Sequence, residues 1–123
     1  MSTNKSFSTE TSERYSRALF EVSRDSDDLD KVENDIKNFK LIYDKNSEVR
    51  NFIKDPSQII TEQNKLVNFI SDKLNFSKNV QKFLLLLIEK RRIFFVNKII
   101  ESFLRLCSQK RGEIKASLIS SKE

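Results

Sequence analysis

Apolar residues along this chain recur every three to four positions, and that period predicts helices over nearly its whole length. From Tyr15 the apolar positions are Tyr15, Ala18, Leu19 and Val22, one stripe at i, i+3, i+4 and i+7 on a first helix. Ser26 and Asp27 offer an N-cap for a long second helix stepping through Leu29, Val32, Ile36, Phe39 and Tyr43. Asn46 and Ser47 start a short third helix carrying Val49, Phe52 and Ile53. It must stop near Asp55, because Pro56 disfavours helical backbone in the residue before it. Leu66, Phe69, Ile70 and Leu74 mark a fourth helix, Ser77 caps a fifth, and Val96, Ile99, Ile100, Phe103, Leu104 and Cys107 define a sixth. Six helices with short connections predict an all-α fold, a six-helix antiparallel bundle over residues 11–111.

Both ends depart from that pattern. Residues 1–10 are rich in Ser, Thr and Asn and have no period, which predicts a disordered lead-in. Gly112, the single glycine, falls where a helix ending around Arg111 wants a left-handed residue. Beyond it Ile114, Ala116 and Leu118 alternate with polar residues at the period of a strand. A lone strand has no ladder partner, so residues 112–123 are expected to be a linker and first strand leading out of the bundle, and the chain to be the front part of a longer protein.

The fifth helix poses the functional question. Residues 82–92 read KFLLLLIEKRR, with six large apolar residues in a row from Phe83 to Ile88. On a helical wheel Val80, Leu84, Leu87 and Ile88 share one face, while Phe83, Leu86 and Lys90 lie about 100° away. One face seats in the core. The second is covered either by another helix of the same domain or by an amphipathic helix arriving from outside, since an uncovered apolar strip is an aggregation liability.

Composition narrows the chemistry. With 123 residues the chain is one domain. One Gly and one Pro leave no material for phosphate-cradling loops or dinucleotide fingerprints. There is no His, and the acidic run DSDDLD at residues 25–30 lacks the glycine and terminal glutamate of a calcium loop, so it reads as the acidic start of a helix. Cys107, the one cysteine, has no His to activate it and reads as a buried small hydrophobe. No catalytic, cofactor-binding or metal-binding residue is therefore assigned, and the chain is expected to be non-enzymatic and to take no small-molecule substrate. No run of apolar residues reaches the length of a membrane span, so direct membrane insertion is not expected. The net charge of +5 is uneven: residues 1–62 hold 10 Lys and Arg against 13 Asp and Glu, and residues 63–123 hold 13 against 5.

Two blocks carry a resemblance. RYSRALFEVS at residues 14–23 resembles the Tyr-Ala-x-Ala-Leu-Phe opening of the delta subunit of F-type ATP synthase, also known as the oligomycin sensitivity conferral protein, with Ser16 where that opening usually has alanine. VQKFLLLLIEKRRIFFVNKIIESFLRL, residues 80–106, is similar to the same family's second signature, an apolar helix running into Glu-x-x-Arg and then a long helix. GEIKASLISS resembles the segment leading into that family's second domain. The resemblance implies a six-helix N-terminal domain at the top of the catalytic head, non-catalytic, part of the peripheral stalk or stator, with no cofactor. It implies a groove between the first and fifth helices that binds the N-terminal helix of the alpha subunit and holds the head against rotor torque.

Carried onto matching positions, that groove takes in Tyr15, Ala18, Leu19 and Val22 on the first helix and Phe83, Leu86, Leu87 and Lys90 on the fifth. The resemblance implies that attachment to the b subunits belongs to a C-terminal domain, of which only the first strand is expected here. The implied location is peripheral, on the cytoplasmic side of the inner membrane or the matrix side in mitochondria, with a monomer expected in isolation. The alternative from a different class is a basic helical module binding RNA or DNA through Lys90, Arg91 and Arg92. Aromatic residues at core spacing, rather than interleaved with basic ones, count against it.

Overall fold

The structure, a computed structural model, describes the backbone of residues 7–120 and the side chains of residues 9–112. Six α-helices form the bundle: α1 (Phe7–Asp25), α2 (Leu29–Lys45), α3 (Ser47–Lys54), α4 (Ile60–Leu74), α5 (Lys78–Glu89) and α6 (Val96–Ser120). A 3-10 turn, Ile93–Phe95, leads into α6. No strand occurs among the described residues.

Local signals set most boundaries. The Asn46 side chain accepts hydrogen bonds from the backbone N–H groups of Glu48 and Val49, both at 3.1 Å, and starts α3. Asp55, before Pro56, is extended and ends it. The Ser77 hydroxyl accepts from the Asn79 N–H and caps α5. Asn75, at φ 55°, takes the left-handed conformation that closes α4.

Three expectations need correction. α1 begins at Phe7, so its first turns lie inside the stretch expected to be disordered; residues 1–6 fall outside the described residues. The cap of α2 is Asp28, because the N–H of Ser26 and that of Asp28 are spent on Val22 and Ser23, closing α1. α6 runs through Gly112 without a left-handed residue, so the backbone at 114, 116 and 118 is helical where a strand was expected. A lone helical glycine costs only about 1 kcal/mol against alanine, which flanking helix formers such as Lys110, Arg111 and Glu113 can offset.

The core is one cluster built around Phe39, Phe103, Leu84, Leu87, Ile88, Ile99 and Ile100. α1 lies along α6 in the most extensive helix pairing. Its buried face is not the apolar stripe: Thr11, Ser12, Ser16 and Ser23 are buried beside Leu19, while Ala18 and Val22 are exposed. Small hydroxyl residues let the helices approach closely, and the Ser16 and Ser102 hydroxyls meet at 2.8 Å. Ser16 also reaches back to the Glu13 carbonyl, and Phe20 packs edge-on against Phe103.

Buried carboxylates tie the elements together. Asp35, on α2, accepts from the Ser77 backbone N–H at 2.7 Å and from Lys31 at 2.9 Å. Asp28 accepts from the Ser77 hydroxyl and the Asn79 amide, so the start of α5 is fixed to α2 from two sides. On the opposite side of α2, Glu33 holds Arg111 of α6 through two 2.7 Å hydrogen bonds.

Candidate partner-binding groove

The residual face of α1 is the stripe that the α6 contact leaves over. Tyr15, Ala18, Leu19 and Val22 recur at i, i+3, i+4 and i+7, and Leu19 alone of them is wholly buried. On α5 the equivalent stripe is Asn79, Lys82, Phe83 and Leu86, again at i, i+3, i+4 and i+7. The two stripes face each other across a groove of about 470 Å³ lined by Arg14, Tyr15, Ala18, Leu19, Val22, Asn79, Lys82, Phe83 and Leu86. Tyr15 and Phe83 bridge it edge to face, with ring centroids 6.4 Å apart.

Burial sorts the expected residues. Leu86 is 39% exposed and Val22 45%, large values for aliphatic side chains lining one depression. Leu19 and Phe83 form its floor, and Ala18 opens space between the helices. Leu87 does not line the groove. It lies 100° around α5 from Leu86 and is wholly enclosed in the core. Lys90 does not line it either, being the C-cap residue one turn past Leu86, after α5 has ended at Glu89.

Three lining residues escaped the sequence reading. Arg14 sits over the Tyr15 ring at 6.0 Å, Asn79 is held by Asp28, and Lys82 stands exposed on α5. Their helical spacing to Ala18 and Leu86 was available as a signal, but hydropathy alone ranks them as solvent-facing. They make the rim cationic, with Arg14 and Lys82 and no carboxylate among the lining residues. Chemically the groove has an apolar floor, one phenol and two cations, which suits an amphipathic helix whose apolar face is flanked by carboxylates.

Among the described residues no group of three or more His, Cys, Asp or Glu side chains is placed to hold a metal. Cys107 is buried against α2, and burial, reinforced by the Glu33 carboxylate, pushes its thiol up to about 12. Such a thiol is not a nucleophile at neutral pH. No helix among the described residues is long and apolar enough to cross a membrane.

A family model described as ATP synthase delta (OSCP) subunit matches residues 11–123. The chain is 37% identical over 123 residues to the ATP synthase subunit delta of Pelagibacter ubique, covering all of this chain and 66% of that protein. It is 32% identical over 120 residues to that of Rhodospirillum rubrum, covering 98% of this chain and 64% of the relative. The corresponding protein of Brucella ovis is 28% identical over 111 residues, 90% of this chain and 60% of the relative. The chain thus spans just under two thirds of the length of the curated relatives it matches.

Proposed function

The chain belongs to the ATP synthase delta (OSCP) subunit family, and we propose that it acts as a non-catalytic stator element whose α1–α5 groove seats the N-terminal helix of the alpha subunit. The observation that carries this reading is the pair of facing stripes: two helices of one bundle leave half-exposed apolar side chains on the same side, with Leu86 and Val22 across from each other's helices. A helix laid there covers Tyr15, Val22 and Leu86 and meets Arg14 and Lys82 at its edges.

Function then follows from rigidity. Holding a catalytic head against torque requires an attachment that resists displacement, and no bond has to be made or broken. α1 is braced along α6, and the start of α5 is fixed to α2 through Asp28 and Asp35, so the two walls of the groove belong to different parts of one bundle. Load entering through the groove is spread into the core rather than onto a loop. Attachment to the peripheral-stalk b subunits is assigned to further sequence of the kind present in the longer relatives. On this reading the chain works at the membrane face that carries the catalytic head.

Amide shift mapping with a peptide from the cognate alpha subunit's N-terminal segment tests the assignment. Perturbations concentrated at Tyr15, Ala18, Val22, Lys82 and Leu86 are expected. Perturbations confined to Lys90, Arg91 and Arg92, or none, would remove the groove from the account.

A further inference from the structure

A second concave surface lies at the α5–α6 corner and shares no residue with the groove. One hollow of about 300 Å³ has buried Ile53 and Ile93 among its lining, together with Pro56 and Phe94. A neighbouring one of about 410 Å³ is lined in part by Tyr43, Asn97 and Lys98. Phe94, 51% exposed, lines both and forms the ridge between them, packed edge-on against Phe95 at 5.5 Å.

Charge around the two hollows is one-sided. Arg50, Lys54, Arg91, Arg92 and Lys98 face Asp44 and Asp55. Both carboxylates are already engaged, Asp44 with Lys40 at 3.1 Å and Asp55 with the Ser57 hydroxyl and N–H. Arg50 is spent on the carbonyls of Tyr43 and Asp44. Lys54 and Arg91 are exposed, and neither side chain makes a hydrogen bond or ion pair among the described residues. Arg91 moreover sits at φ 60°, a conformation that favours glycine, where it closes α5 with its N–H on the Ile88 carbonyl. A glycine there would close the helix with less strain and would leave Lys54 as the one exposed cation among the hollow's lining residues.

We propose that this corner is a docking site for an acidic protein segment with an apolar anchor, the anchor entering the hollow beside Phe94 and carboxylates pairing with Lys54 and Arg91. Charge complementarity selects an acidic occupant. The apolar lining selects a peptide over a nucleic acid, because an apolar side chain can fill the hollow beside Phe94, from which a phosphate track gains little. The site is independent of the α1–α5 groove and does not rest on what that groove binds.

The test is a titration of the full 123-residue chain, followed by amide shifts. The probes are a short glutamate-rich peptide with one central phenylalanine, the same peptide with serine in that place, and a single-stranded oligouridylate. Saturable shifts at Ile53, Lys54, Arg91 and Phe94 are expected with the first peptide, and about tenfold or more weaker binding with the second. The variant Lys54→Glu with Arg91→Glu should weaken the first peptide at least about tenfold. If that variant does not fold, Phe94→Ala, at an exposed ridge, gives the same reading. Absence of saturable shifts at millimolar peptide, equal binding of both peptides, shifts in the α1–α5 groove alone, or tighter oligouridylate binding at this corner would each overturn the proposal.

Discussion

Leu86 and Leu87 are adjacent, identical in chemistry and opposite in environment, so replacing each with aspartate separates binding from folding. Leu86 is 39% exposed, so about three fifths of it is covered within the chain. Full burial of a leucine is worth about 1.5–3 kcal/mol, so Leu86→Asp should cost the isolated domain about 1–2 kcal/mol. Leu87 is completely enclosed, and Leu87→Asp loses the whole transfer term and also strands a carboxylate in the core. That exceeds about 4 kcal/mol, comparable with the entire stability of a small domain. Circular dichroism melts should therefore show a folded Leu86→Asp domain and an unfolded Leu87→Asp chain. Against the alpha-subunit peptide, a carboxylate beside the apolar floor, with Lys82 one turn away to offset part of its charge, should cost about 1.5–3 kcal/mol, roughly ten- to a hundredfold in Kd by anisotropy. Unfolding of Leu86→Asp, or unchanged peptide affinity in a folded variant, would refute the assignment of Leu86 to the groove.

Three further outcomes follow from the packing. Val96 is fully buried at the start of α6, so Val96→Asp should unfold the domain, and an unchanged melting temperature would contradict its placement. Asp35→Asn weakens the charged acceptor of the Ser77 N–H and should cost about 1–3 kcal/mol, with faster hydrogen exchange at the first turn of α5 as the specific readout. The Cys107 thiol is held up to about 12 by burial and by Glu33, against 9.0 ordinarily. Above pH 9 the unfolded chain therefore releases a proton that the folded one keeps, and stability present below pH 9 falls by at most about 1.4 kcal/mol per pH unit up to 12. Urea midpoints from pH 8 to 11 should show that slope, and Cys107→Ala should flatten it, leaving any contribution from Tyr43, whose phenol burial also pushes up.

Much of the fold was legible because helical signals are local. The cap at Asn46, the stop before Pro56 and the cap at Ser77 are short-range hydrogen-bond and steric effects that a few residues determine. What escaped depends on pairing at a distance. On α1 hydropathy predicts the stripe of Tyr15, Ala18, Leu19 and Val22 as the packing face, yet along α6 the buried residues are Thr11, Ser12, Ser16 and Ser23, with Ser16 meeting Ser102. Their hydroxyls are polar by count, but they are small enough for close approach and are buried in the bundle. The same displacement makes the groove: because α6 takes the small-residue face, Ala18 and Val22 are left outside. On α4 the fourth-helix stripe included Phe69, which is 60% exposed beneath the Lys73 ammonium, while Gln63 and Ser71 share the buried face with Val67 and Ile70. The two apolar faces of α5 were visible in KFLLLLIEKRR. The helical wheel also separates Leu87, on the face of Val80, Leu84 and Ile88, from Leu86, and burial follows that division; it is the groove set carried over from the resemblance that misplaces Leu87.

The central claim is that the α1–α5 groove receives an amphipathic helix of the alpha subunit. Its most direct test is a calorimetric titration of this chain with the cognate alpha subunit's N-terminal peptide at low and high salt. The apolar floor predicts saturable one-to-one binding that persists at high salt, weakened only by the share that Arg14 and Lys82 contribute at the rim. No heat of binding, with steeply salt-sensitive binding to RNA or DNA in its place, would contradict the account and move function to the basic residues at the end of α5.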